Sequence, residues 1–238
     1  MPRVSIVIPS YNEEKRLPST LRRIKRYLHK KRAAHEVIVV DDGSKDNTAG
    51  AAKNFKGMRV RVVSNGRNMG KGFSVGNGIK NSKSPLILFT DADLSTPISH
   101  LDEFLAYHRE GYDIVIGSRD LIDSKVVVPQ NPLREFSGKL FNLLVRAVTG
   151  LPIHDTQCGF KSFTKKAAKE IFSRRTIAGF GFDVEVLYIA RLRGFRIKEA
   201  PVSWYNAPGT KVSFFKDSLR MFLELFRIRL NGILGKYR

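Results

Sequence analysis

The sequence is short of cysteine, of acidic residues and of long apolar stretches. Its single cysteine, Cys158, excludes an intramolecular disulfide and suits a reducing compartment. No run approaches the roughly 18 uninterrupted apolar residues of a membrane-spanning helix. The apolar segment before Pro9 is also too short for a signal peptide. These absences predict a protein that is soluble or peripherally bound to a membrane.

Acidic residues are outnumbered almost two to one. The 238 residues include 22 Asp and Glu against 42 Lys and Arg, which gives a formal charge of +20. Such an excess favours polyanionic partners, namely nucleic acid, anionic lipid or a phosphorylated substrate, although a generally basic solvated surface has the same charge. The chain contains no recognisable nucleic-acid-binding motif, so a basic nucleic-acid-binding protein is the remotest of these alternatives.

The sequence lacks the residue patterns of a histidine metal site, a cysteine nucleophile and a P-loop. The five histidines show no metal-ligand spacing, and Cys158 has no neighbour that would make it a nucleophile. Gly70-Lys-Gly72 does not have the glycine and lysine spacing of a P-loop. The acidic and basic residues are therefore the remaining candidates for a functional site.

Short apolar runs alternate with amphipathic patterns through the first half of the chain. The runs are 4–8, 36–40, 59–63, 86–89 and 114–116. This alternation predicts an α/β fold with a doubly wound, mostly parallel sheet. A different pattern follows, which predicts a polar functional loop at 121–131, helices at 133–149, 165–172 and 182–193, a compact segment at 156–163 and a last strand at 196–202.

Polar side chains follow the predicted strands where each strand ends. They are Tyr11, Glu13, Asp41, Asp42, Asp91, Asp93 and Arg119. Since the carboxyl ends of parallel strands meet at one edge of an open sheet, these residues are predicted to line a ligand crevice. Asp91 and Asp93 point the same way along an extended chain and suit a hard divalent cation that bridges to phosphates. Taken alone, the pair also fits a turn or a helix cap.

The last 27 residues, 212–238, have the pattern of a long basic amphipathic helix. Its apolar stripe consists of Phe215, Leu219, Phe222, Phe226 and Leu230. Such a helix suits the interface of an anionic membrane. Packing on the protein's own core or on a dimer partner explains the pattern equally well.

Four motifs, in this order, resemble glycosyltransferase family 2: Pro9-Ser-Tyr-Asn-Glu-Glu14, Val40-Asp-Asp-Gly-Ser-Lys-Asp-Asn-Thr48, Asn68-Met-Gly-Lys-Gly72 and Thr90-Asp-Ala-Asp-Leu94. Three further segments resemble the dolichyl- or polyprenyl-phosphate sugar synthases: Asp155-Thr-Gln-Cys-Gly-Phe-Lys161, Gly181-Phe-Asp-Val-Glu185 and Pro208-Gly-Thr-Lys-Val-Ser213. The first of these is more similar to dolichyl-phosphate glucosyltransferases than to mannosyltransferases.

The resemblance implies an inverting hexosyltransferase with the GT-A fold. It implies UDP-glucose as the favoured donor, a polyprenyl phosphate as acceptor, Mg2+ or Mn2+ as cofactor, and a peripheral location on the cytoplasmic face of an anionic membrane, with no nucleic acid as partner. The catalytic domain would cover residues 1–210, with the nucleotide-sugar half at about 1–120 and the acceptor half at about 121–210. Residues 211–238 would form the amphipathic helix.

Two enzymatic alternatives stay open. GDP-mannose is the alternative donor, but Ser95 stands where a mannosyl-type enzyme often has Gln. A saccharide or glycolipid hydroxyl is the alternative acceptor, and it would need a carboxylate base, for which Asp155, Asp183 and Glu185 are the candidates. A phosphomonoester, with its second pKa at about 6, is already ionised and needs none. Each candidate base also fits a structural role in a turn or near a helix start.

The resemblance also implies roles by position. The nucleoside would contact Pro9, Tyr11, Glu13, Val40 and Asp42, and the metal on the diphosphate would be held at Asp91, Ala92 and Asp93. Arg119 would lie near the transferring phosphates, and the acceptor side would include Arg134, Lys139, Asp183 and Lys211. Lys71 would add positive potential beside the donor, although on its own it is better interpreted as a solvated lysine at a helix start.

Overall fold

The computed structural model describes residues 4–31, 35–129, 132–207 and 214–238, with side chains described at all of these except 132–135 and 214–219. The first half contains β1 (Val4–Ser10), α1 (Leu17–Lys31), β2 (His35–Asp41), α2 (Thr48–Lys53), β3 (Val60–Ser64), α3 (Lys71–Lys80), β4 (Leu86–Thr90), a 3-10 turn (Ile98–His100), α4 (Leu101–Arg109) and β5 (Ile114–Ser118). The second half contains β6 (Lys125–Val128), α5 (Pro132–Thr149), β7 (Phe160–Thr164), α6 (Lys165–Arg174), α7 (Phe182–Leu192), β8 (Ile197–Pro201), β9 (Ser203–Tyr205) and α8 (Phe214–Ile233).

Seven strands form one sheet in the order β3-β2-β1-β4-β7-β5-β8. All neighbours pair in parallel except β7, which is antiparallel to both β4 and β5. The predicted mostly parallel α/β fold is therefore confirmed. Because β1, β2, β4 and β5 run in the same direction, their carboxyl ends meet at one edge of the sheet.

Both faces of the sheet are buried, which explains the near-continuous apolar runs. Ile6, Ile8 and Leu88 face a cluster that includes residues of α1 and α4, whereas Val7 and Phe89 face a second cluster with α3, α6 and α7. The strand residues are therefore apolar at successive positions, and polar residues appear only where the chain leaves the sheet.

Strand β7 is the main departure from the predicted fold. The segment 156–163 is predicted only to be compact, with no strand assigned to it, but Phe160–Thr164 forms a strand between β4 and β5. The predicted loop at 121–131 likewise contains β6, which pairs with β9 in a second, two-stranded sheet. The predicted last strand at 196–202 corresponds to β8, and the short strand β9 follows it and pairs with β6.

Helix α8 packs on the protein with one face and exposes the other. Leu225 and Ile228 are buried, and the helix contacts α5 and α7. Beyond its end the buried Tyr237 donates a hydrogen bond from its hydroxyl to Glu185 at 2.8 Å. Packing on the protein's own core is thus part of its role. In the described parts of the chain, no helix is long and apolar enough to cross a membrane.

Candidate active site

Asp91 and Asp93 lie at the predicted edge of the sheet, directly after β4. They line a small crevice together with Thr90, Ser95, Thr96, Gly159 and Trp204. The backbone amide of Ser95 donates to Asp93 Oδ1 at 2.9 Å, and Leu94 has a positive φ of 51°. The segment is therefore a tight turn that also presents both carboxylates to the crevice. The interpretation of the pair as a turn is thus compatible with its interpretation as a ligand-binding pair.

Gly159 allows the chain before β7 to lie against Asp91. The amide of Asp91 donates to the carbonyl oxygen of Gly159 at 3.1 Å. A Cβ at Gly159 would overlap the Asp91 carboxylate. The glycine in the Asp155–Lys161 motif is thus required by the close approach of this wall to the acidic pair.

Lys71 forms an ion pair with Asp91. Its Nζ lies 2.7 Å from Asp91 Oδ1, and its side chain is only 18% exposed. Burial opposes the charge of Lys71, but Asp91 and Asp183 outweigh that effect and hold the pKa of the ammonium group above its usual range. The interpretation of Lys71 as a solvated lysine at a helix start is therefore wrong.

Two glycines bring Lys71 to this position. Gly70 has a positive φ of 96° and lies close to the carbonyl of Ala178, and Gly72 packs directly on Phe182. The amide of Phe73 donates to the carbonyl oxygen of Ala178 at 3.2 Å. The Asn68–Gly72 motif thus builds a helix start that is pressed against residues 178–182 and points its lysine at the acidic pair.

Asp183 lies beneath the crevice and is not part of an acceptor groove. Its carboxylate is 1% exposed and accepts a hydrogen bond from Lys161 Nζ at 2.5 Å. Lys161 is fully buried in β7 and also donates to the carbonyl oxygen of Cys158 at 2.6 Å. The expected acceptor contact of Asp183 is therefore corrected: it is half of a buried ion pair. No sequence pattern marked Lys161, except that it ends the Asp155–Lys161 motif.

Arg119 lies after β5 and is held rigidly by Asp155. Its Nε and Nη2 donate to the two carboxylate oxygens at 2.6 and 2.9 Å. The guanidinium carbon is 5.5 Å from the ring centroid of Trp204, which itself lines the crevice. Despite burial, the Arg119 charge keeps the pKa of Asp155 below its usual range. Arg119 is thus preorganised beside Trp204, which lines the crevice.

The other basic residues of the acceptor side are less well placed. Lys139 is exposed on α5 and interacts electrostatically with Asp120. The side chain of Arg134 and the whole of Lys211 lie outside the described residues. Their expected contacts with an acceptor remain predictions.

The donor-side residues divide into two groups. Pro9, near the end of β1, and Tyr11, directly after it, are partly exposed. Glu13 is nearly buried beside Arg16, with the nearest oxygen and nitrogen 3.4 Å apart. These three remain candidates for a nucleoside contact.

Val40 and Asp42 do not present free side chains to a nucleoside, and Ala92, expected at the metal, lies in the core. Val40 is fully buried under α3, because its side chain points into the core from β2. Ala92 is also in the core, and its carbonyl oxygen accepts a hydrogen bond from Thr20 Oγ1 at 2.5 Å. The oxygens of Asp42 accept from the amides of Met69 and Gly70 at 2.9 Å each, so its carboxylate fixes the loop before α3.

The three candidate bases are all buried and engaged. Asp155 binds Arg119, Asp183 binds Lys161, and Glu185 accepts hydrogen bonds from the amides of Thr176 and Ile177 at 2.8 Å each. None of the three faces a substrate. Asp120, which the motifs do not single out, is a partly exposed carboxylate next to Arg119, and burial followed by the charge of Asp155 raises its pKa.

The acidic pair fits a hard divalent cation. Among the described residues no group of three His, Cys, Asp or Glu is placed to hold a metal. Mg2+ and Mn2+ at phosphate sites commonly use one or two carboxylates and take their other ligands from water and substrate. Burial and the neighbouring Asp91 raise the pKa of Asp93, which reflects a concentration of negative charge that a cation would relieve.

Comparison with known proteins agrees with this geometry. Residues 5–172 match the family described as glycosyl transferase family 2. The dolichyl-phosphate beta-glucosyltransferase of Dictyostelium discoideum is 35% identical over 249 residues, which cover 99% of this chain and 76% of that protein. The human protein of the same name is 36% identical, with 99% of this chain and 77% of that protein covered.

Solved structures show the same fold. Mannosyl-3-phosphoglycerate synthase from Rubrobacter xylanophilus has a TM-score of 0.72 at 19% identity, covering 99% of this chain and 76% of that one. Glucosyl-3-phosphoglycerate synthase from Mycobacterium tuberculosis, in complex with Mn2+ and UDP-glucose, has a TM-score of 0.71 at 18% identity, covering 96% and 79%. With its motifs, its sheet and its full-length relatives in agreement, this chain belongs to glycosyl transferase family 2 and is a nucleotide-sugar glycosyltransferase with the GT-A fold.

Proposed function

We propose that the protein transfers glucose from UDP-glucose to dolichyl phosphate or a related polyprenyl phosphate, with inversion at the anomeric carbon. The names of its relatives support the sugar and the acceptor, and the fold neighbour crystallised with Mn2+ and UDP-glucose supports the donor. The observation that carries the proposal is the crevice itself. It contains the acidic pair, which is paired with Lys71, and it is lined by Trp204, against which a rigid arginine lies, while the three candidate bases are buried.

On the donor side, Asp91 and Asp93 hold Mg2+ or Mn2+. The bound cation supplies Lewis-acid stabilisation of the departing diphosphate. Lys71 adds a second positive charge beside Asp91. Because these groups are fixed before the reaction, little reorganisation is needed as negative charge develops on the leaving group.

On the acceptor side, Arg119 positions the phosphate nucleophile. Asp155 occupies Nε and Nη2, so the guanidinium plane is fixed and its remaining N–H groups are directed away from Asp155. A planar guanidinium is well suited to phosphate, and a phosphomonoester attacks without losing a proton. Alignment rather than base catalysis is therefore the main task on this side.

Transfer to a saccharide hydroxyl is the second candidate, and Asp120 is the observation that favours it. Its raised pKa and its place next to Arg119 are suited to a general base. This reaction would not use the apolar surface described below.

The first prediction concerns the product. With radiolabelled UDP-glucose, dolichyl phosphate and Mn2+, we expect label to enter the organic phase, and we expect little transfer from GDP-mannose. Label in a water-soluble saccharide, with loss of transfer in Asp120→Asn, would favour the second candidate. Absence of product with either donor and either acceptor would contradict the proposal as a whole.

We also propose that the protein docks on the cytoplasmic face of an anionic membrane through α5 and α8. These neighbouring helices expose Phe136, Leu140, Leu143, Phe222, Leu223, Phe226 and Leu230. Exposed basic residues adjoin this apolar surface: Lys139, Arg146, Arg220, Arg227 and Arg229. Apolar side chains flanked by cations match an interface with acidic lipids, and the cytoplasmic leaflet has the negative surface potential.

Helix α5 connects this apolar surface to the residues around Arg119. Asn142, on α5 between the exposed Leu140 and Leu143, donates to Asp120 at 3.3 Å and accepts from the hydroxyl of Thr156 at 3.3 Å. A lipid-linked phosphate held at Arg119 would therefore have its chain next to an apolar helix face. The surface and the acceptor chemistry support each other.

The second prediction concerns membrane binding. We expect the protein to float with vesicles containing phosphatidylserine, less so at high salt, and poorly with neutral vesicles. The double variant Leu223→Ser/Leu230→Ser should bind at least about tenfold more weakly, because apolar area no longer enters the interface. Leu192→Ser, at an exposed leucine of α7, is the matched control and should bind normally. Equal binding by the double variant would refute this surface.

A further inference from the structure

The carboxylate assigned to the metal already has a cationic partner within the chain. Lys71 Nζ lies 2.7 Å from Asp91 Oδ1, so the ammonium group occupies one coordinating position of that oxygen. A divalent cation on Asp91 and Asp93 would lie within a few ångströms of the same ammonium group. Unlike a distant surface lysine, Lys71 therefore competes directly for a metal ligand.

Packing around Lys71 also keeps its ammonium group close to the acidic pair. The glycines on either side pack against residues 178 and 182, and its Nζ lies 6.0 Å from the ring centroid of Phe89. Asp183 contributes a second attractive charge from below, but that carboxylate is already paired with Lys161. The ammonium group can shift along the crevice on its flexible side chain, and the charge of Asp93, the second proposed metal ligand, also attracts it.

We infer that Lys71 makes metal binding conditional on the nucleotide diphosphate. Lys71 neutralises Asp91 when no donor is bound, so Mn2+ or Mg2+ alone binds weakly. The diphosphate offers Lys71 a new anionic partner, and the lysine moves from Asp91 onto a phosphate oxygen. Asp91 is then free for the metal, which binds together with the donor. This inference rests on the proposed metal and donor site and adds a binding order to it.

The charge of Lys71 determines whether it opposes or favours the binding of each ligand. An ammonium group close to a divalent cation repels it, and this repulsion weakens as the flexible lysine side chain moves away. The same ammonium group attracts a diphosphate strongly. Lys71 is therefore unfavourable for the metal alone and favourable for the metal with the nucleotide, and the two ligands become positively coupled.

The third prediction tests this coupling by direct Mn2+ binding, measured from the electron paramagnetic resonance signal of free Mn2+ with and without UDP. In the wild type, UDP should tighten Mn2+ binding by about 50-fold, within the range of coupled sites. In Lys71→Gln, Mn2+ alone should bind about tenfold more tightly than to the wild type, because the repelling charge is gone. The gain from UDP should then fall below about fivefold.

Three further variants separate the possible failures. Lys71→Arg keeps the charge and should keep the wild-type coupling, and Lys71→Met, which also removes the charge, serves as the test if the glutamine variant does not fold. An unchanged Mn2+ affinity and unchanged coupling in Lys71→Gln would overturn the inference while leaving the metal site intact. Wild-type Mn2+ binding in Asp91→Asn with UDP would instead show that the metal assignment itself fails.

Discussion

Asp91→Asn is expected to lower kcat for hexose transfer by about 10³-fold, the scale of losing a preorganised group that stabilises developing charge. The substitution keeps the size of the side chain but removes the negative charge that is proposed to hold the metal and that pairs with Lys71. The effect should appear in kcat more than in KM for the acceptor, because Arg119 and the apolar surface are untouched. Asp93→Asn should behave in the same way.

The measurement is initial rate against UDP-glucose and acceptor concentration at saturating Mn2+. Asp102→Asn is the matched control, because it makes the same chemical change at a surface carboxylate paired with Lys31. It should leave kcat within about twofold, since exposed ion pairs contribute little. Turnover of Asp91→Asn near the wild-type value would contradict both the metal site and the proposed mechanism.

The position of this site was predictable from sequence because its signal is local. Strands β1, β2 and β4 are apolar at successive positions and end in polar residues, so their period and their ends are visible without any contact information. Parallel strands then place Asp91 and Asp93 at the same edge as Tyr11 and Asp42. A correct location for the acidic pair follows from these two facts.

Strand β7 could not be predicted in this way. It spans Phe160–Thr164, and alternate residues serve different environments: Phe160 faces the cluster with α4, whereas Lys161 and Phe163 face α7. Such a short, mixed segment has no distinctive period. Its strand conformation depends on β4 and β5, which are distant in sequence, and its lysine is acceptable only because Asp183 is brought above it.

The roles that the resemblance assigned to individual residues agree less well with the structure than the predicted location of the site does. Val40 and Asp183 belong to motifs near the crevice, but their side chains point into the core. Asp42 and Gly159 act one step away, by fixing the loop before α3 and by making room for Asp91. A motif thus indicates which part of the fold contains the site. Only the packed structure separates the residues that face a substrate from those that support them.

The last prediction concerns that support. Lys161→Met should lower the free energy of unfolding by about 3–5 kcal/mol, because it leaves the Asp183 carboxylate buried without its partner. Urea denaturation monitored by circular dichroism measures this. The double variant Lys161→Met/Asp183→Leu should recover most of the loss, since two apolar side chains can replace a buried pair. Lys31→Met, which breaks an exposed pair with Asp102, should cost less than about 1 kcal/mol.

The destabilisation of Lys161→Met should also depend on pH in a defined direction. Burial raises the pKa of Asp183, and in the wild type Lys161 and Lys71 oppose that rise. Without Lys161, we expect the folded protein to hold a proton on Asp183 that the unfolded chain releases above about pH 4. The folded state then binds more protons than the unfolded state, so the stability of the variant relative to the wild type falls as pH rises. A variant that loses as much stability at pH 5 as at pH 8 would show that Lys161 stabilises the sheet by packing alone, and not by its charge on Asp183.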